Sequence, residues 1–214
     1  MKTILCYGDS LTWGYNVEGP SRHPLADRWP SVLGAALGSA AHVIPDGLNG
    51  RTTIYDDQSV LAERNGAKTL PTSISTHLPL DLVILALGTN DLKRHTGGGR
   101  AFEAGLGMER LIEIVQSFPY RLGYKAPKIL IVSPPHLVET EDPMFAQMFG
   151  HGIEESQRVI DVYRTIAEEY GVHLFDASEV CEATPQDGVH LDAVNTRRLG
   201  EALAGAVKEI LDLQ

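Results

Sequence analysis

The chain's 214 residues, 43% of them hydrophobic, suffice for one domain with a substantial core. Its 18 basic and 28 acidic residues give a formal charge of -10, which argues against nucleic acid and against an anionic membrane surface as partners. No apolar run approaches the roughly 18 residues of a membrane span, and Cys6 and Cys181 alone make no disulfide framework.

The first stretch, Lys2-Thr3-Ile4-Leu5-Cys6-Tyr7, is rich in strand formers and predicts the first strand. It is too short for a signal-peptide core, so a cytoplasmic protein is expected. Gly8 permits a tight turn, and Asp9 and Ser10 both suit a helix start. Residues 13–24 read as loop, with Gly14, Gly19, Pro20 and Pro24. Asp27 to Leu37 reads as a helix ended by Gly38, with Trp29, Val32, Leu33, Ala36 and Leu37 on one face. His42-Val43-Ile44 is a brief second strand. Residues 46–79 show little period, with some helix expected near Thr72 to Thr76. Asp81 to Leu87 is apolar on both faces, the mark of a central parallel strand. Arg100 to Phe118 is amphipathic, with Phe102, Leu106, Leu111, Ile114 and Val115 as candidates for the core face. Lys128 to Val132 is a further buried strand, stopped by Ser133-Pro134-Pro135. Glu154 to Tyr170 reads as a helix with Ile160, Tyr163 and Ile166 inward and Gly171 as cap. Val172 to Phe175 is the last strand, and Ala193 to Leu213 the closing helix. Strands alternating with helices imply parallel βαβ units, hence one three-layer α/β/α domain over residues 1–214 with five parallel strands.

Four places carry potential chemistry. Ser10 follows the first strand at a helix start, where backbone N–H groups and the helix dipole favour negative charge. A serine nucleophile needs that setting, although a capping serine with no chemistry has the same local pattern. Asp187-Gly188-Val189-His190 can set a carboxylate beside an imidazole and aim the other ring nitrogen at Ser10. An Asx turn capping the last helix would use the same residues. Asn90 directly follows the central strand and offers a side-chain amide, or a plain turn residue. Gly50, in Asn49-Gly50-Arg51, lets backbone approach a ligand, or simply makes a turn. Of the other histidines, His23, His77, His95, His136, His151 and His173 have no ligand spacing and read as surface or local hydrogen-bonding groups, so no metal is expected. Met144, Phe145, Met148 and Phe149 read as local core, as the wall of an acyl pocket, or as a subunit interface.

Taken together, Gly8-Asp9-Ser10-Leu11, Gly50, Gly88-Thr89-Asn90-Asp91 and Asp187-Gly188-Val189-His190 resemble the four sequence blocks of the SGNH (GDSL) hydrolase family. They span residues 8 to 190. The runs from Ile4 to Gly14 and from Thr76 to Ile84 are most similar to the bacterial arylesterase and acyltransferase subgroup. The resemblance implies a flavodoxin-like sheet in the order 2-1-3-4-5. It implies Ser10, Asp187 and His190 as a triad. The N–H groups of Ser10 and Gly50 and the Asn90 amide would be the oxyanion hole. Asp9 and Asp91 would fix the loops that carry Ser10 and Asn90, and Trp13, Phe145 and Phe149 are candidates for the substrate pocket. The expected activity is a serine esterase acting on short-chain aryl or alkyl esters without a cofactor, with acyl transfer to alcohols beside hydrolysis. A carbohydrate acetylesterase is the alternative enzyme, and a non-catalytic ligand-binding domain the alternative of another class. Alcohol selection is expected in loops 14–26 and 92–99. The expected partners are a small-molecule ester and further copies of the chain, in a homo-oligomer of more than two subunits.

Overall fold

A computed structural model of the chain describes residues 1–19, 21–121 and 123–213. Pro20, one of the residues that mark 13–24 as loop in the sequence, lies outside them. Five parallel strands form the main sheet: β1 (Lys2–Gly8), β2 (Ala41–Gly47), β3 (Leu82–Ala86), β4 (Lys128–Ser133) and β5 (His173–Asp176). Their order is 2-1-3-4-5, as expected from the family resemblance. The register aligns the strand ends. Gly8, the last residue of β1, pairs with Gly47 of β2 and with Ala86 of β3. These three strands therefore end at one level, and the residues just beyond them share one edge of the sheet.

Strand side chains alternate between two faces. Leu5, Tyr7, Val83, Leu85, Ile129 and Ile131 pack under α3 (Gly66–His77), α5 (Ala101–Ser117) and α7 (Ile153–Tyr170). Ile4, Cys6, Leu82, Ile84, Leu130 and Val132 pack against α2 (Trp29–Leu37) and α8 (Ala193–Leu211). Both faces are covered, as a parallel sheet requires. Three short helices lie at the carboxyl edge: α1 (Ser10–Trp13), α4 (Arg94–Gly97) and α6 (Pro143–Phe149). A small antiparallel ribbon pairs Tyr15–Asn16 with Ser21–Arg22. Among the described residues, no helix is long and apolar enough to cross a membrane.

The structure corrects the sequence reading at several points. α2 starts at Trp29, because Pro30 favours the first turn and Arg28 is extended; Leu25–Asp27 form a separate 3-10 turn. α3 covers twelve residues rather than five, begun by the Asn65 side chain accepting from the Ala67 N–H at 3.0 Å. Phe102 and Leu106 do not belong to the core. They are 60% and 43% exposed, while Ala104, Met108, Leu111 and Ile112 turn inward with Val115. On α7 the inward row is Val159, Tyr163 and Ile166, and Ile160 is only partly buried.

Candidate active site

Gly8 ends β1 because a Cβ there would lie 2.0 Å from the Thr12 hydroxyl and 2.8 Å from the Ala86 carbonyl oxygen. The chain can therefore turn at once into α1, where the Asp9 carboxylate accepts from the Leu11 N–H at 2.9 Å. Ser10 is thereby the first helical residue, at the open end of the sheet.

His190 arrives from the loop before α8. Asp187 holds it three ways: Oδ1 accepts from the N–H groups of Val189 (3.0 Å) and His190 (2.9 Å), and Oδ2 lies 2.6 Å from the ring Nδ1. Asp187 thus makes a local turn but does not cap the last helix, which is capped by the Asp192 side chain accepting from the Asn195 N–H at 2.7 Å, and His190 is buried rather than solvated. Nε2 lies 2.9 Å from Ser10 Oγ. With Nδ1 donating to the carboxylate, Nε2 is left as acceptor for the Ser10 hydroxyl; this tautomer follows from the partners. Burial pushes the Asp187 carboxyl up, but the imidazole and the two backbone N–H groups outweigh it and hold it below its ordinary value.

Gly50 turns with φ of 81° after β2, and a Cβ there would strike the Arg64 guanidinium at 2.4 Å. Among the described residues, the Ser10 and Gly50 N–H groups meet no protein acceptor. Asn90 follows β3. Its amide nitrogen lies 3.3 Å from Asp9 Oδ2 and 3.2 Å from the Arg51 carbonyl oxygen. Asp9 therefore joins the serine turn to the asparagine turn. Burial, opposed by the Leu11 N–H and the charges of His190, Lys93 and Arg51, pushes its pKa up to about 6. Asp91 accepts from the Thr53 N–H at 3.0 Å and from the Thr53 hydroxyl, which ties the asparagine turn to the loop after Gly50. Its pKa is pushed up to about 7, chiefly by burial.

Ser10, Gly50, Asn90 and His190 line one cavity of about 420 Å³. Phe145 and Phe149 line it as expected, and Met148 joins them. Phe149 is buried, Phe145 and Met148 are half-buried, and only Met144 stands exposed. Three of the four apolar residues of this segment therefore build the cavity wall, and Met144 is the one that stands exposed. Trp13 is not in the wall. Its ring lies under the Arg22 guanidinium, 4.6 Å from centroid to Cζ, and its carbonyl accepts from Arg22 Nε. Tyr15, two residues on, takes that place: its ring stacks on His190 with centroids 4.2 Å apart, while Phe145 meets the imidazole edge-on at 5.7 Å. Sequence reasoning missed Tyr15, Lys93 and Arg64, although Tyr15 and Lys93 fall in the two loops expected to select the alcohol. His95, read as a surface group, also reaches the cavity, whereas His23 and His151 make local bonds to the Leu191 and Leu92 carbonyls.

Residues 6–195 match the family model described as the GDSL-like lipase/acylhydrolase family. A carbohydrate acetylesterase family member from Sinorhizobium meliloti is 52% identical over 100% of both chains, with a TM-score of 0.97. The aryl esterase of M. smegmatis is 40% identical, over 99% of this chain and 100% of its own, with a TM-score of 0.93. Est24, a carbohydrate acetylesterase from Sinorhizobium meliloti, is 39% identical over 98% of this chain and 100% of its own, with a TM-score of 0.92. The comparison with curated proteins finds no match. A relay of carboxylate, imidazole and serine at the carboxyl edge of a 2-1-3-4-5 sheet, within a family match covering most of the sequence, places the chain in the GDSL-like lipase/acylhydrolase family as a carboxylic ester hydrolase.

Proposed function

We propose that Ser10, His190 and Asp187 cleave short-chain aryl or alkyl esters through an acyl-enzyme. The observation that carries this is the unbroken hydrogen-bonded line from Asp187 through His190 to Ser10 at the floor of the cavity. Ser10 Oγ attacks the ester carbonyl while its proton passes to His190 Nε2. The carbonyl electron pair moves onto oxygen, where the Ser10 and Gly50 N–H groups and the Asn90 amide receive it. The intermediate collapses, the C–O bond to the alcohol breaks, and the alkoxide takes the proton from His190. Water then attacks the acyl-Ser10 ester by the same route, releasing acid and free serine. An alcohol in place of water gives acyl transfer instead. Asp187 remains ionised throughout and stabilises the imidazolium. The cycle uses no cofactor.

The aromatic and apolar wall of Tyr15, Phe145, Met148 and Phe149 suits an aryl or alkyl alcohol and leaves room for a short acyl chain. The descriptions of the two Sinorhizobium meliloti relatives favour a second reading, in which the same residues release acetate from an acetylated sugar. The proposal includes a homo-oligomer of more than two subunits, for which Phe102 and Leu106 are the supporting exposed residues. For the catalytic unit, the test is the rate with 4-nitrophenyl acetate. Ser10→Ala and His190→Ala should each remove most of kcat, and the double variant should lose little more. Losses that multiply would contradict a unit.

A further inference from the structure

Lys93 lines the cavity, has no task in the ester-cleavage cycle, and is costly to bury. It follows the 3-10 turn that carries Asn90, and it shares the cavity with Ser10, Asn90 and His190. It is only 6% exposed. Lysine is almost never this buried unless paired, because taking an ammonium out of water is expensive. Yet among the described residues its Nζ makes neither a hydrogen bond nor an ion pair. Its companion is the Phe149 ring, 5.4 Å from Nζ to the centroid. Burial first, and then the charge of Arg64, push the Lys93 pKa down.

The surrounding carboxylates do not take up this charge by contact. Asp57 is engaged by Arg64 Nη1 at 2.7 Å and by the Ser59 N–H and hydroxyl. Asp9 serves Leu11 and Asn90, and Asp91 serves Thr53. Arg64 and Asp57 cancel each other within the wall. Lys93 is left without a direct partner in the cavity, with the charges of Asp57, Asp9 and Asp91 acting on it only from a distance. A sheltered cation with free donors, next to the Tyr15, Phe145, Met148 and Phe149 side of the cavity, is a receptor for one anionic oxygen group.

We propose that Lys93 binds a carboxylate on the substrate, so that the site prefers esters carrying a carboxylate near the scissile bond over their neutral counterparts. The inference rests on the esterase reading, since the carboxylate must lie within one cavity length of the carbonyl that Ser10 attacks. The carboxylate can belong to the alcohol or to the acyl group, and two substrate pairs separate these sources. The first is 4-acetoxybenzoate against its methyl ester. The second is mono-4-nitrophenyl succinate against 4-nitrophenyl butyrate.

The measured quantity is the ratio of kcat/KM for the charged ester to that for its neutral partner, in the wild type, Lys93→Met and Lys93→Arg. In at least one pair, Lys93→Met should lower this ratio by about tenfold or more, mainly through KM, and Lys93→Arg should retain most of it. The pair that responds identifies the side of the ester that bears the charge. Binding of benzoate to the wild-type protein, followed by calorimetry, gives a readout that needs no turnover. It should be lost in Lys93→Met and kept in Lys93→Arg. If neutral esters are hydrolysed but both ratios stay unchanged in Lys93→Met, the carboxylate site is wrong and the esterase reading stands. If no ester of either kind is turned over while benzoate still binds through Lys93, the site stands and the esterase reading fails. Absence of benzoate binding together with unchanged ratios overturns the inference.

Discussion

On the proposed mechanism, Asn90 acts only once charge has developed on the substrate oxygen. Its amide is stretched between Asp9 and the Arg51 carbonyl at 3.3 and 3.2 Å, beside the two N–H groups that meet no protein acceptor among the described residues. A donor placed for the oxyanion should lower the barrier without tightening the ground state. Asn90→Ala should therefore reduce kcat by about 10²–10³ with little change in KM, as steady-state kinetics would show. The acids beneath it give a second expectation. The Asp91 carboxyl moves from its ordinary 3.8 to about 7 in the fold. Between those values the folded chain holds a proton that the unfolded chain has released. Stability from this group is thus complete at low pH and declines as pH rises toward about 7. The unfolding free energy from urea titrations should fall between about pH 4 and about pH 7, by up to about 1.4 kcal/mol per pH unit from one such group, and level off above that. Asp91→Asn should flatten that slope, and an unchanged slope would assign it elsewhere. Ser10, Gly50, Asn90 and His190 were legible in the sequence because each follows a strand or the last turn before a helix. Tyr15 and Lys93 were not, because an irregular loop gives no period from which to learn which side chain points inward. Trp13 attracted attention by its size, but its position at the end of α1 sends the ring to Arg22.

Among elements, β1, β3 and β4 were plain from apolar runs buried on both faces, and they carry the sheet. The segment between β2 and β3 was the least legible. Its helix begins at Gly66 and contains Pro71, both poor helix formers, and is set instead by the Asn65 cap and by burial of Leu70 and Ile74. Gly66 itself is required by packing, since a Cβ would come 2.6 Å from the Thr52 carbonyl oxygen. α5 misled in another way. Leu111 and Val115 fit a core stripe that also runs through Ala104 and Met108, but Phe102 and Leu106 lie one helical turn apart on the outer side. Small residues face the sheet and α7 there, and large ones face out. That outward pair gives the proposed assembly a testable place. Light scattering after size exclusion should report a mass several times the subunit's 23.3 kDa. Phe102→Asp with Leu106→Asp should lower it. A mass near one subunit for the unaltered chain would refute assembly, and an unchanged oligomer in the double variant would move the contact elsewhere.

At the scale of the molecule, the parallel sheet converts distant sequence positions into neighbours. Ser10 and His190 are 180 residues apart and 2.9 Å from contact atom to contact atom. The matched ends of β1, β2 and β3 bring the serine, glycine and asparagine turns to one edge, and Asp9, Asp91 and Arg51 stitch those turns together. The central claim is that this edge makes Ser10 a nucleophile. Intact-protein mass after brief exposure to an organophosphorus ester tests it most directly. A single adduct, mapped to Ser10 and absent from Ser10→Ala, is the expected result; no adduct on the wild type, or the same adduct on Ser10→Ala, would contradict the account.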